Sequence, residues 1–148
     1  MVKLNGCSAV ITGASSGLGA EFARALAGRA ERLLLVARRR DPMEALQAEL
    51  AERAPKTAVC IRVADLSTLD GQKAVSQWVR ENGFKPNVLI NNAGLGDYGS
   101  FVSADMARIR EQLEVNIAAV VQLCHDLTPL MARPAGILNV GSLSGELP

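Results

Sequence analysis

VITGASSGLGAEFARAL, residues 10–26, decides how the rest of the chain is read. Three glycines in the pattern G-x-x-x-G-x-G follow a short apolar run and precede an alanine-rich helical one. A glycine-rich turn after a strand is often only a turn. With a strand before it and a helix after it, the pattern acquires a mechanical meaning. Gly13 permits the tight turn out of the strand, Gly17 lets a phosphate approach the backbone, and Gly19 lets the helix pack close to the sheet. The helix N-terminus then offers free N–H groups and a partial positive charge to an anion. No Gly-Lys-Ser/Thr follows, so the stretch is not a P-loop.

Further apolar, β-branched runs recur downstream: LLLVA (33–37), AVCIRV (58–63), VLIN (88–91) and ILNV (137–140). With AVIT (9–12) they make five short, nearly continuous segments, the pattern of strands covered on both faces. Between them lie helical stretches. One ends on Gly28, one begins at Asp41-Pro42, one opens on Ser67 or Thr68 and closes on Asn82-Gly83, and a long one opens on Ser103 or Asp105 and runs to about 131. Strands alternating with helices, joined by right-handed crossovers, predict an α/β fold: a parallel sheet of order 3-2-1-4-5 with helices on both faces.

Composition agrees with one ordinary domain. The 148 residues are 49% apolar and 21% charged with a formal net charge of +1, and a chain of that size buries roughly two-thirds of its unfolded surface. Neither nucleic acid nor a membrane is indicated as a partner. The three cysteines, Cys7, Cys60 and Cys124, are widely separated and suggest neither a disulfide framework nor a zinc site; no metal is expected, and a reducing cytoplasm is the default location. Cys7 reads as a small buried filler, Trp78 as core packing, and His125 as a surface or capping residue. The loop GLGDYGSF (94–101) either lines a substrate entrance or is simply a mobile surface loop. In the long helix, Ile109, Leu113, Ile117, Val120, Val121 and Cys124 are read as core, with partner contact second.

The end of the second strand discriminates between dinucleotides. A site for NAD wants an acid there to bind the ribose 2′-hydroxyl. This chain has Arg38, Arg39 and Arg40 instead, and guanidinium groups suit a 2′-phosphate. Arg38 and Arg39 are taken as phosphate contacts, and Arg40 as the solvated start of the next helix.

Five motifs stand in order: TGASSGLG (12–19), ADL (64–66), NNAG (91–94), VNI (115–117) and NVGSLSG (139–145). Together they resemble the short-chain dehydrogenase/reductase family in its ordinary, non-extended branch, over essentially the whole chain. The resemblance implies a Rossmann-type domain binding NADP(H), with hydride transfer between the nicotinamide and a carbonyl or alcohol substrate. It places Thr12, Gly13, Ser15, Ser16, Gly17, Leu18 and Gly19 in the phosphate turn. Arg38 matches the basic position of NADP-preferring members. Asp65 and Leu66 border the adenine, although Asp65 also reads as a strand-end cap. Asn92, Ala93 and Gly94 close over the cofactor, while Asn91 stabilises the sheet. Asn116, which on its own reads as a buried polar residue bonded to backbone, would hold a water near the catalytic lysine. Ser142, rather than Ser144, would hydrogen-bond the substrate carbonyl.

The resemblance fails at one place. The family's Tyr-x-x-x-Lys is absent: the only tyrosine is Tyr98, and four residues on stands Val102. The expectation is a dinucleotide-binding domain over residues 1–148, the N-terminal part of a longer, homo-oligomeric enzyme, inactive alone. A natural truncation is a second explanation. A non-catalytic dinucleotide-binding module with a sensing or scaffolding role is the alternative from another class. An epimerase-like or dehydratase relative is disfavoured by the glycine spacing and NNAG. Strand five should then form an unprotected sheet edge with apolar side chains exposed nearby.

Overall fold

The computed structural model describes residues 3–142. β1 (Ser8–Thr12), β2 (Arg32–Ala37), β3 (Ala58–Val63), β4 (Val88–Asn91) and β5 (Gly136–Asn139) form one parallel sheet in the order β3-β2-β1-β4-β5. The order is the expected one. The chain runs outward from β1 through β2 to β3, then crosses back to place β4 on the other side of β1. That reversal opens a crevice beyond the C-terminal ends of β1 and β4, which is where an open α/β sheet binds ligands.

Alternate side chains of the central strands feed two cores. Ala9, Ile11, Leu33 and Leu35 face α1 (Gly17–Ala27) and α2 (Arg40–Arg53), meeting Met43, Leu46 and Leu50. Val10, Leu34, Val36 and Leu89 face the opposite layer, formed by α3 (Leu69–Glu81) and the helices after β4, where they meet Val75, Val79, Leu123 and Leu127. Each such side chain, fully buried, stabilises the fold by about 1.5–3 kcal/mol, so the three central strands are held from both sides. β3 and β5, the outer strands, are only partly covered, and Ile137 and Leu138 of β5 remain about half exposed.

Local starts and stops follow the capping residues. Thr68 caps α3 by accepting from the Gly71 N–H at 3.1 Å, and Asp105 caps α4 (Met106–Leu113) by accepting from the Ala107 N–H at 2.9 Å. α2 begins a little earlier than Asp41-Pro42 suggest: Arg40 is already helical, and Asp41 sits within the first turn, where its charge suits the helix dipole. The cluster of Cys7, at 0% exposure, is apolar as expected, and burial pushes its thiol upward, partly offset by a backbone hydrogen bond. Trp78 is only half-buried, tilted against Phe84 with ring centroids 6.0 Å apart. His125 is exposed, with Nδ1 3.1 Å from the Asp126 carboxylate.

The long helix departs from expectation in two ways. It is interrupted by a π-helical turn (Glu114–Ala118) between α4 and α5 (Ala119–Leu127). Its core face is also different: Val115, Ala119, Leu123 and Leu127 point inward. Leu113, Ile117 and Val121 are 51%, 57% and 64% exposed, and Ile109, Val120 and Cys124 are only partly covered. The reading of Leu113, Ile117 and Val121 as core is therefore corrected, while Cys124 does pack against the core from its edge. Both stripes recur at helical spacing in an apolar helix, and periodicity has no means of choosing which one faces the sheet.

Candidate functional site

A cleft of about 460 Å³ opens over the C-terminal ends of β1 to β4. Its floor is the turn between β1 and α1. Gly13 has φ +66°, and a Cβ there would come within 2.8 Å of Asn92 Nδ2 and 2.9 Å of the Ala93 Cα. At Gly19 a Cβ would run into the Gly13 carbonyl group, so α1 leaves the sheet at a distance only glycine allows. Gly17, at φ +55°, faces open space.

The start of α1 is electrostatically prepared for an anion. Ser16 stands in the N-cap position with extended backbone, but its hydroxyl makes no cap bond, and the first turn contains no acid. The leading N–H groups and the positive end of the helix dipole are thus left to whatever enters the cleft. Ser15, Ser16 and Leu18 line this part of it.

The end of β2 forms one wall. Arg39 Nη2 donates to Ser16 Oγ at 2.9 Å and to Ser15 Oγ at 3.2 Å, binding the wall to the floor. Arg38 Nη1 is 3.0 Å from Glu111 Oε1 on α4. Both arginines line the cleft, whereas Arg40 pairs with Glu44 on α2 at 3.2 Å, outside it.

The end of β3 forms the next wall. Asp65 Oδ1 accepts from the Ser67 N–H at 3.0 Å and from the Ser67 hydroxyl at 2.8 Å, a tight local turn. Burial pushes the Asp65 carboxyl up, but the two Ser67 donors and the Arg38 charge outweigh it and hold it below the ordinary value. Asp65 is thus both a strand-end cap and a cleft residue, with Leu66 beside it. The turn depends on Gly71, where any Cβ would collide with the Asp65 carbonyl.

Asn92, Ala93 and Gly94 form the side nearest β4. They are suspended from Thr12, whose Oγ1 accepts from the Asn92 N–H at 2.9 Å and the Ala93 N–H at 3.0 Å. Asn92 Nδ2 donates back to the Thr12 carbonyl at 3.0 Å. Thr12 itself is 1% exposed and lies behind the cleft surface. Buried Asn91 ties the sheet together by donating to Asn139 Oδ1 of β5 at 2.9 Å.

Asn116 sits on the π turn, and an extra residue per turn of this kind often marks functional positions. Its side chain grips the loop after β4 in both directions, donating to the Leu95 carbonyl at 2.8 Å and accepting from the Leu95 N–H at 2.9 Å. It is bonded to backbone, as read from sequence, but it is exposed rather than buried. Ser142 is exposed just beyond β5 and does not line the cleft, and Ser144 lies outside the described residues. The loop at 94–101 contributes Gly94 and Leu95 to the lining, while Tyr98 is fully exposed.

Three lining residues escaped the sequence reading: Ala37, Ala64 and Val115. The two alanines directly precede Arg38 and Asp65, and Val115 precedes Asn116, so the motifs themselves pointed to their neighbourhood. Glu111 and Gly71 carried no signal of their own, because their roles come from contacts across the fold.

Comparison with known proteins agrees with this geometry. The family model described as short chain dehydrogenase matches residues 8–148. Nodulation protein G of Rhizobium sp. (strain N33) is 37% identical over 147 residues, covering 98% of this chain and 58% of that protein. The bulky-bulky ketone specific alcohol dehydrogenase of Comamonas testosteroni superposes with a TM-score of 0.87 at 34% identity, over 96% of this chain and 57% of that one. A short-chain dehydrogenase from Sphingobium yanoikuyae, solved in complex with NADPH, gives a TM-score of 0.86 at 34% identity, over 95% of this chain and 55% of its own. The chain spans a little over half the length of these relatives.

Proposed function

The chain belongs to the short-chain dehydrogenase family, and from that premise we propose that its 148 residues are one dinucleotide-binding domain serving an NADPH-dependent oxidoreductase. The observation that carries this is the wall at the end of β2. The end of β2 presents two arginines and no acid to a cleft whose floor is the uncapped start of α1. The complex of the Sphingobium yanoikuyae relative with NADPH supports the same cofactor.

The residues fit such a group. The close approach at Gly13 and Gly19 and the open space over Gly17 make a cradle for a pyrophosphate, with the α1 N–H groups, Ser15, Ser16 and Leu18 around it. Arg38 and Arg39 would hold the 2′-phosphate, Asp65 and Leu66 the adenine, and Asn92, Ala93 and Gly94 the ribose side. Thr12 acts from behind, by fixing the backbone of Asn92 and Ala93. When bound, the cofactor supplies the hydride chemistry.

The substrate is a carbonyl compound or its alcohol, in keeping with the ketone specificity of the Comamonas testosteroni relative. Ser142 would donate a hydrogen bond to the substrate oxygen. Asn116, by gripping Leu95, would shape the approach and hold a water near it. A general acid of the Tyr-x-x-x-Lys type is not among the 148 residues, so the polypeptide by itself binds cofactor without turnover. A cytoplasmic, homo-oligomeric full-length protein goes with the enzyme reading, the latter supported by the exposed stripe of Leu113, Ile117 and Val121.

The test is calorimetric titration with NADPH and NADH. The reading requires NADPH to bind several-fold tighter, with the preference lost in Arg38→Asp. Equal binding of the two, or a preference that survives the substitution, overturns it.

A further inference from the structure

Resting on the cofactor reading above, we infer that Glu111 is a counter-charge that competes with the 2′-phosphate for Arg38 and so limits how strongly the cleft prefers NADPH over NADH. The two arginines at the end of β2 are not in equivalent states. Arg39 is held by neutral hydroxyls, those of Ser15 and Ser16. An arriving phosphate meets its full charge with no anion to displace. Arg38, by contrast, already has an anionic partner: its Nη1 lies 3.0 Å from Glu111 Oε1, across 73 residues of sequence.

The geometry makes this partner a persistent one. Glu111 Oε2 is also engaged, by Arg108 Nη1 at 3.1 Å one turn away on α4, so the carboxylate is fixed with one oxygen toward each arginine. Its side chain is 23% exposed against 52% for Arg38. Asp65 adds a second negative charge within electrostatic reach of Arg38. A dianionic phosphate at Arg38 therefore faces two alternatives. It takes over Nη1 and sends Glu111 back to Arg108, losing the ion pair, or it binds beside an unscreened carboxylate and is repelled. Either way the binding of a 2′-phosphate is opposed and the binding of a 2′-hydroxyl is not. Glu111 lies outside the cleft lining, so it acts by its charge and its hold on Arg38, not by contact with the cofactor.

The experiment titrates NADPH and NADH into the chain and into its Glu111→Gln, Glu111→Asp and Glu44→Gln variants. Glu111→Gln should tighten NADPH about two- to five-fold, the range expected for an exposed ion pair, and leave NADH unchanged. Glu111→Asp, which keeps the charge but withdraws it, should fall between. Glu44→Gln removes the outer pair with Arg40 and should move neither nucleotide. Added salt should shrink the gap between the chain and Glu111→Gln. NADPH binding that is unchanged or weaker in Glu111→Gln, or NADH tightening equally, overturns the inference. If the unaltered chain prefers NADPH and loses the preference in Arg38→Asp while Glu111→Gln is silent, only the role of Glu111 falls. If the unaltered chain shows no preference, the cofactor reading itself falls.

Discussion

Replacing Thr12 by valine should destabilise the protein by about 2 kcal/mol, although the side chain keeps its shape. Thr12 is 1% exposed, and among the described residues its hydroxyl oxygen is the acceptor for two successive N–H groups, those of Asn92 and Ala93. A donor stripped of its partner inside a protein costs roughly 1–3 kcal/mol. Both N–H groups are part-buried, so the lower end of that range applies to each, giving about 2 kcal/mol for the pair. The hydroxyl's own bond to the Ile90 carbonyl is long, at 3.4 Å, and adds little. In a domain of this size 1 kcal/mol lowers the unfolding midpoint by about 2–4 °C, so the expected fall is about 4–8 °C. Thr12→Ser, which keeps the acceptor and loses one methyl, should fall by about half as much or less. Thermal unfolding followed by circular dichroism measures both. A valine variant as stable as the serine variant would refute the reasoning, because it would mean that the two N–H groups find equivalent partners without the hydroxyl.

Gly19→Ala should destabilise by about 1–3 kcal/mol through overpacking, since its new methyl would meet the Gly13 carbonyl and Asn92 Nδ2. Denaturant unfolding reads this directly, and a loss within experimental error would show that α1 can slide off the sheet at no cost. A separate expectation concerns acid. Glu49 on α2 is held by the Arg24 guanidinium of α1, and further by Arg53, at about 2 against an ordinary 4.5. A lowered folded-state value means that the pairing stabilises fully above about 4.5 and is lost as pH falls toward about 2. The unfolding midpoints of the chain and of Glu49→Gln should therefore differ near neutrality and converge across that interval. A difference independent of pH would show that the α1–α2 clasp acts by packing and not by charge.

Much of this protein is legible from local pattern, because its fold is written in short-range rules. β1, β2 and β4 announce themselves by continuous apolar runs, since a strand covered on both faces has no need to alternate, while the equally apolar β3 and β5 are only partly covered. The glycines at 13, 17 and 19 announce the turn because no other residue type satisfies its backbone and its close packing. Handedness then narrows the possible orders of the strands without choosing among them. Thr68 and Asp105 mark helix starts because a capping oxygen must stand at that one position.

What the chain's order could not disclose is everything decided by which surfaces meet. The apolar stripe of Ile109, Leu113, Ile117 and Val121 is indistinguishable from the stripe of Val115, Ala119, Leu123 and Leu127 until the helix is laid on the sheet, and the π turn shifts the phase between them. Asn116 is polar mid-helix in the sequence, but only the fold brings the Leu95 backbone to both ends of its amide. Thr12 matches a motif whose function suggested contact with a ligand, while its burial and its hydrogen bonds to the Asn92 and Ala93 N–H groups come from the fold alone. The arginines at the end of β2 show their charge in sequence, while their partners, hydroxyls for Arg39 and Glu111 for Arg38, come from distant segments. Backbone conformation is a property of a few neighbouring residues, so the sequence by itself determined it. The partner of a side chain depends on how whole elements pack, and only the tertiary structure decided it.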